Sequence, residues 1–439
     1  MSGFAIGVLS VPLLLVLMAL RIPIAVAMLL VGGGGYVLMN GLAPLLNHLK
    51  TGPYFLFQSY ALSVIPLFLL MGQFALRAGL SRALFRTAAA WLGHRPGGIA
   101  MAGIGGCAGF GAICGSSLAT AATMARVALP ELRRLGYSGA LATGALAAGG
   151  TLGILIPPSL VLVVYALLAE QNIAKMFVAA LLPAALAVAG FLAAIAIYVR
   201  LFPADGPAAT RATTGERLVS LIEIWPVAAI FALVVGGLYG GLFTPTEGAA
   251  VGAFVTGALA LVRGGLGWRD LADCLLETAR VTAMIFLVLL GAELYNAFLA
   301  LTRMPVEAAR MIEHAALPGY AVIVVVLLAY LALGCLMDSL SMILLTVPVL
   351  LPIVLALDVG LSPEETAIWF GILALVVVEL GLIPPPVGLN ALVIHGLAPD
   401  VPLAAVFRGV VPFLLVELVR VGLLLAFPGL TLGLVRLLW

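Results

Sequence analysis

Long apolar runs without charge decide what this chain can fold into. From Gly139 to Leu168, for example, no side chain is charged. A run of that length belongs in lipid, where about 20 apolar residues make one helical passage. Across 439 residues, 64% are hydrophobic and 9% are charged, against about 25% charged in a soluble domain. That excludes a soluble enzyme, a nucleic-acid binder and a disordered chain. Net charge is +2 without a basic run, so there is no electrostatic footprint for nucleic acid. The expected fold class is an all-α polytopic membrane protein in the bilayer, with on the order of a dozen passages.

Apolar segments fall at about 4–20, 22–39, 54–76, 98–129, 139–168, 177–199, 225–243, 247–262, 281–302, 319–356, 366–395, 402–427 and 430–439. The first, Phe4 to Leu20, lacks a basic flank and a small-residue cleavage site, so it reads as a span and not a signal peptide. Cys107, Cys114, Cys274 and Cys335 lack metal-ligand spacing and read as small hydrophobes. The stretch 200–223, rich in charge and proline, is expected to be a cytoplasmic linker between two repeats, 1–199 and 224–439. Ser116 in CGSSLAT and Asp338 in LMDSLS lie 222 residues apart (338 − 116). Pro23 and Pro245 share that offset, and so do Pro130 and Pro352.

Lysine and arginine stay on the cytoplasmic side. Arg77, Arg82, Arg86 and Arg95 precede the 98–130 segment, and Arg133 and Arg134 follow it. A segment with both flanks inside cannot cross, so 98–130 is expected to be a re-entrant hairpin turning at Gly115-Ser116-Ser117. The same tracing puts Pro23 near the inner face and Pro245 near the outer face. The repeats are then inverted, and a second hairpin at about 319–352 enters from outside.

Inverted repeats with interrupted helices characterise secondary transporters, whose sites lie where half-helices end. Four interruptions qualify. Gly115-Ser116-Ser117 with Thr120 offers hydroxyls and helix N-termini for a cation or a carboxylate. Gly149 to Gly153, followed by Ile156-Pro157-Pro158-Ser159, frees carbonyls because proline has no N–H. Asp338-Ser339 with Ser341 places an acid where acids are costly and by default functional; a helix cap is the plain alternative. Glu379 to Asn390 holds Pro384-Pro385-Pro386, which no helix can continue. Glu379 there is either an ion ligand or a residue on a polar seam, and Asn390 either a substrate contact or a structural amide. Elsewhere, Glu417 and Arg420 are spaced to neutralise each other, and Glu293 reads as an interhelical hydrogen-bonding group. His48, His94, His314 and His395 lie apart and read as interfacial.

These motifs resemble one family. IPLFLLMG (65–72), GSSLATAA (115–122), LRRLGYSGALATGALAAGGTLGILIPPS (132–159), FTPTEGAA (243–250) and PPVGLN (385–390) are similar to the large membrane subunit of TRAP transporters, the DctM-like subunit of the inner membrane. The resemblance covers nearly the whole chain. It implies an elevator-type fold of two inverted repeats, each with a re-entrant hairpin and a broken helix, and Na+-coupled uptake of an organic acid. It implies two partners, a small four-helix membrane subunit and a periplasmic substrate-binding protein. Carried over, one cation site uses Ser116, Ser117, Thr151 and Gly153, and the other Asp338, Ser341 and Gly381. The substrate lies near Ser117, Thr120, Pro158, Pro386 and Asn390. Two positions depart from the family: Pro384 stands where threonine is usual, and Val377 where asparagine is common. Both remove a side-chain oxygen near the second cation site, so backbone carbonyls are expected to serve there.

The competing readings are a self-sufficient ion-coupled carboxylate carrier and, more remotely, a membrane-embedded enzyme. The sequence contains no Walker A motif and only two lysines, Lys50 and Lys175, so it carries no ATP-driven motor. HExxH and GxSxG motifs are also absent.

Overall fold

The computed structural model describes residues 2–314, 318–335 and 337–439, and every regular element among them is helical. The side chain of His314 and the residue Leu336, inside the second expected hairpin, lie outside the described residues. Six helices are long and apolar enough to cross a membrane, and a bent pair makes a seventh span. This is fewer than a dozen because the remaining apolar residues form hairpin arms, half-helices and short helices. Segment 54–76 contributes one of the six, Tyr60–Arg77, but is not continuous. It holds the end of helix Leu42–Phe57, a 3-10 turn Tyr60–Ser63, and helix Val64–Arg77.

The order of helices repeats. Leu80–Leu92, Gly98–Cys114, Ser117–Arg134, Gly139–Leu155, Leu160–Leu168 and Ile173–Leu201 are echoed by Met304–His314, Gly319–Gly334, Ser339–Leu355, Pro363–Gly381, Leu389–Leu397 and Leu403–Ala426. Both expected hairpins are therefore helix–turn–helix units, at 98–134 and 319–355. Packing crosses between the two halves of the chain, beginning with the helices that precede each set. Ile24–Asn40 lies along Trp268–Thr302, and Pro245–Val262 lies along Val64–Arg77. Close approach of backbones holds the first pair, since a Cβ on Gly32 would lie 2.8 Å from Tyr295 Cα. Small residues are the usual means of joining helices that gain nothing from water exclusion. The outer arm of each hairpin likewise packs on the half-helix of the other set, Ser117–Arg134 on Leu389–Leu397 and Ser339–Leu355 on Leu160–Leu168.

The stretch 200–223 is only partly a linker. A helix begins within it at Thr214, because Thr213 and Glu216 form a capping box, a reciprocal pairing that satisfies two free N–H groups at a helix start. The irregular connection is confined to about 202–213. The glycines at 149–153 do not break their helix either. It runs on to Leu155, and the bend of 44° falls at 156–159, where the prolines are. The second break is longer, from Leu382 to Gly388.

Apolar residues face both ways. Trp369, Tyr165 and Tyr330 are fully buried, and Trp369 Nε1 donates to the Leu424 carbonyl at 2.9 Å. Leu9, Leu13, Phe254, Leu415 and Val419 are exposed, as expected where lipid is the solvent. Glu417 and Arg420 are both buried and paired, and Arg420 also donates to the Pro183 carbonyl. Glu293 lies 3.8 Å from His48 across two helices.

Candidate functional site

The two hairpin tips meet at one carboxylate. Ser116 caps helix Ser117–Arg134, its Oγ accepting from the Ala119 N–H at 3.4 Å. The equivalent Asp338 caps helix Ser339–Leu355, accepting from the Ser341 N–H at 3.1 Å. The cap reading of Asp338 is thus what its geometry shows, and Ser341 supplies a backbone donor. The next residue on each tip turns inward. Ser117 Oγ donates to Glu379 Oε1 at 3.3 Å, and Ser339 Oγ donates to the same oxygen at 2.6 Å.

Glu379 is 1% exposed. A buried anion needs compensation, and here it faces the positive ends of two helices as well as two hydroxyls. Its second oxygen, Oε2, has no partner among the described residues. A further donor to it or a cation would complete the shell.

Each half-helix ends on a proline that deprives a particular carbonyl. Pro157 removes the donor that Gly153 O would meet four residues on, and Pro385 does the same for Gly381 O. The two glycines also admit the hairpins. A Cβ on Gly111 would lie 2.5 Å from Gly153 Cα, and one on Gly381 would lie 2.8 Å from Gly334 Cα. On the first side, a Cβ on Gly153 would be 2.5 Å from Thr120 Oγ1 and 2.8 Å from Ser116 O. Gly115, between the hairpin arms, has φ +65°, a conformation glycine adopts without penalty.

A cavity of about 350 Å³ lies beside this junction, lined by Ser116, Ser117, Asp338, Ser339, Gln73 and Glu277 among others. The other candidate residues lie outside its lining. Thr151 is buried and donates to the Ala148 carbonyl at 2.6 Å. Thr120 is buried with its hydroxyl unpartnered among the described residues. Asn390 crosses from the second half-helix to donate to Ala147 O at 3.2 Å, which leaves its own Oδ1 unpartnered there. Pro158 is buried and Pro386 exposed, and neither lines the cavity. Val377 is buried and Pro384 partly so. The sequence weighed Glu379 without selecting it, and did not select Ser339 as a ligand. The 222-residue offset that pairs Ser116 with Asp338 also pairs Ser117 with Ser339. Gln73 and Glu277 left no signal, because they reach the cavity from helices far away in sequence.

The cavity continues towards a polar mouth of about 320 Å³ that shares Gln73 and Glu277. Arg77 pairs there with Asp270 and with Asp273 at 3.5 Å, and Arg280 with Glu277 at 3.1 Å.

Paired hairpins, broken helices and a polar junction buried among apolar helices define a membrane carrier. Residues 11–430 match the family described as Tripartite ATP-independent periplasmic transporter, DctM component, and the chain belongs to that family. The C4-dicarboxylate TRAP transporter large permease protein DctM of Pseudomonas aeruginosa is 35% identical over 382 residues, 86% of either chain. The sialic acid TRAP transporter large permease protein SiaM of Vibrio cholerae is 28% identical, over 85% of this chain and 86% of the other. In three dimensions the Alcanivorax borkumensis YdaH transporter matches with a TM-score of 0.64 at 17% identity, covering 88% of this chain and 90% of that one; this likeness concerns the fold alone. The chain is therefore a multi-pass inner-membrane protein with a role in transport.

Proposed function

We propose that this chain is the large membrane subunit of a Na+-coupled importer of an organic acid, a carboxylate. The observation that carries the proposal is Glu379, buried at the meeting of two hairpin tips with one oxygen unpartnered. Hard cations take oxygen ligands. Ser117, Thr151 and the freed Gly153 carbonyl supply them on one side, and Ser339, Asp338 and the freed Gly381 carbonyl on the other. Na+ bound beside Glu379 would neutralise it. The helix N-termini would then be free to attract the substrate carboxylate into the cavity next to them. Binding of cation and anion is in this way coupled by charge, which is what a symporter requires.

Transport would follow an elevator path. Hairpins and broken helices would move as one body against the framework of Ile24–Asn40 with Trp268–Thr302 and Val64–Arg77 with Pro245–Val262. With arginine-rich ends inside, the mouth at Arg77 and Arg280 faces the cytoplasm, and the repeats are inverted. The family's printed description is tripartite and periplasmic. The expected partners are accordingly a small membrane subunit and a periplasmic binding protein that delivers the substrate.

Reconstitution tests this directly. The chain and its small partner are placed in proteoliposomes with a panel of labelled organic acids, with and without the binding protein and a Na+ gradient. Uptake that requires both supports the proposal. Equal uptake without the binding protein would identify a self-sufficient carrier instead, and uptake indifferent to Na+ would remove the coupling.

A further inference from the structure

A second site is built from Arg95, Arg211 and Arg217, which form no ion pair among the described residues. Helix Leu80–Leu92 is amphipathic: Leu80, Leu84 and Phe85 are buried, while Arg82, Arg86 and Trp91 are exposed. Its apolar face packs on Gly98–Cys114, which leaves the arginines at the surface. His94 and Arg95 follow it. The irregular connection returns over this end, Ala209 N–H donating to Gly93 O and Gly97 N–H to Gly206 O, both at 2.8 Å. Arg211 and Arg217 are thereby brought beside His94 and Arg95. The guanidinium of Arg217 stacks over the Trp91 ring, 5.5 Å from its centroid.

Three polar atoms in this cluster, Arg217 Nε, Arg217 Nη2 and His94 Nδ1, are buried without a hydrogen-bond partner among the described residues. The neighbouring acids are engaged elsewhere. Glu216 accepts from Thr213, Glu223 pairs with Arg86 at 3.3 Å, and Asp205 accepts from Tyr198 at 2.7 Å. Burial, together with Arg217, Arg211 and Arg95, holds the His94 imidazole below its usual range. Uncompensated cations of this kind call for an external anion. Just along the helix from Arg217 run Leu218, Ile222 and Trp225, which are 56%, 68% and 61% exposed. The surface therefore offers cationic donors at one level and an apolar strip on the adjoining face of the same helix.

We propose that Arg95, Arg211 and Arg217, with His94 and Trp91, bind the phosphate headgroup of an anionic phospholipid whose acyl chains lie along Leu218, Ile222 and Trp225. Basic pockets at the cytoplasmic ends of membrane helices recognise such headgroups, and the planar guanidinium fork suits phosphate oxygens; Arg95 and Arg211 are exposed to meet the headgroup first. The site stands apart from the transport cavity and requires nothing of it.

The test is native mass spectrometry of the full chain, released from nanodiscs of phosphatidylcholine doped with phosphatidylglycerol. Wild type should retain phosphatidylglycerol at least about tenfold over phosphatidylcholine, a preference of about 1.4 kcal/mol. That preference should fade between low and high ionic strength. The triple variant Arg95→Gln/Arg211→Gln/Arg217→Gln should lose it, and Arg436→Gln, far away in the chain, should keep it. Equal retention by the triple variant, or a preference indifferent to salt, would overturn the proposal. Full displacement of the lipid by inorganic phosphate would make the cluster a soluble-anion site and overturn it also. The salt titration uses the unaltered chain, so the result does not depend on the triple variant folding.

Discussion

Glu379 shows how much rests on a single side chain. It is held by two hydroxyls from two different hairpins, so removing its charge should act on both at once. Glu379→Gln keeps the shape and loses the charge-assisted bonds, worth about 1.5–3 kcal/mol each. We expect uptake to fall by at least about tenfold and the Na+ concentration for half-maximal uptake to rise, both measured in proteoliposomes. Ser339→Ala should impair uptake more than Ser117→Ala, because its bond is shorter, 2.6 Å against 3.3 Å; the reverse order would mean the two tips are not held as described. The other buried charge is a matter of stability. Removing one partner of the Glu417–Arg420 pair leaves a buried ion alone, at a cost of roughly 3–5 kcal/mol. Thermal unfolding in detergent should show Glu417→Ala well below wild type and the double variant Glu417→Leu/Arg420→Met close to it.

The helices themselves are ordinary, and the breaks in them are what matter. Pro157 and Pro158 end one half-helix, and Pro384 to Pro386 end the other. Replacing Pro157 and Pro158 together with alanine returns two donors to the helix, so the Gly153 carbonyl would again be bonded within it. The expected result is weaker Na+ activation of uptake with the chain still folded. Gly153→Ala is harsher, since its new methyl group would lie 2.5 Å from Thr120 Oγ1 and 2.8 Å from the Ser116 carbonyl. Gly34→Ala is the control, because nothing lies within 4 Å of the added carbon. Transport lost in the first and kept in the second, with both proteins monodisperse by size-exclusion chromatography, would tie function to closeness at the tip. Loss in both would point to a general intolerance of the helices.

At the scale of the whole molecule, two sets of helices interlock. The second arm of each hairpin packs on the half-helix of the other set, and Glu379 from the second set accepts from both tips. Neither half holds a complete junction by itself. A fragment ending in the connection near residue 210 should therefore show no Na+-dependent change in tryptophan fluorescence or proteolysis, whereas co-expressed halves should recover it. Recovery by the first half alone would mean that its serines and the Gly153 carbonyl suffice as a cation site.

Charge scarcity and proline spacing were enough to determine that this chain is all-α, lies in a membrane, turns at Gly115 to Ser117 and near Asp338, and repeats with a 222-residue offset. These are consequences of local chemistry: apolar runs need lipid, prolines lack a donor, and serine or aspartate caps the helix that follows. The capping box at Thr213 and Glu216 was legible by the same logic, although the surrounding charge and proline disguised it as linker. Three things were settled only by tertiary structure. One is that the glycines at 149–153, in a helix that bends only at the following prolines, admit a neighbouring hairpin. Another is that Ser117 and Ser339, from two different hairpins, share Glu379. The last is that Gln73 and Glu277 reach the cavity wall. Each depends on contacts between residues scores to hundreds of positions apart, and periodicity and spacing along one segment carry no information about what another segment places against it.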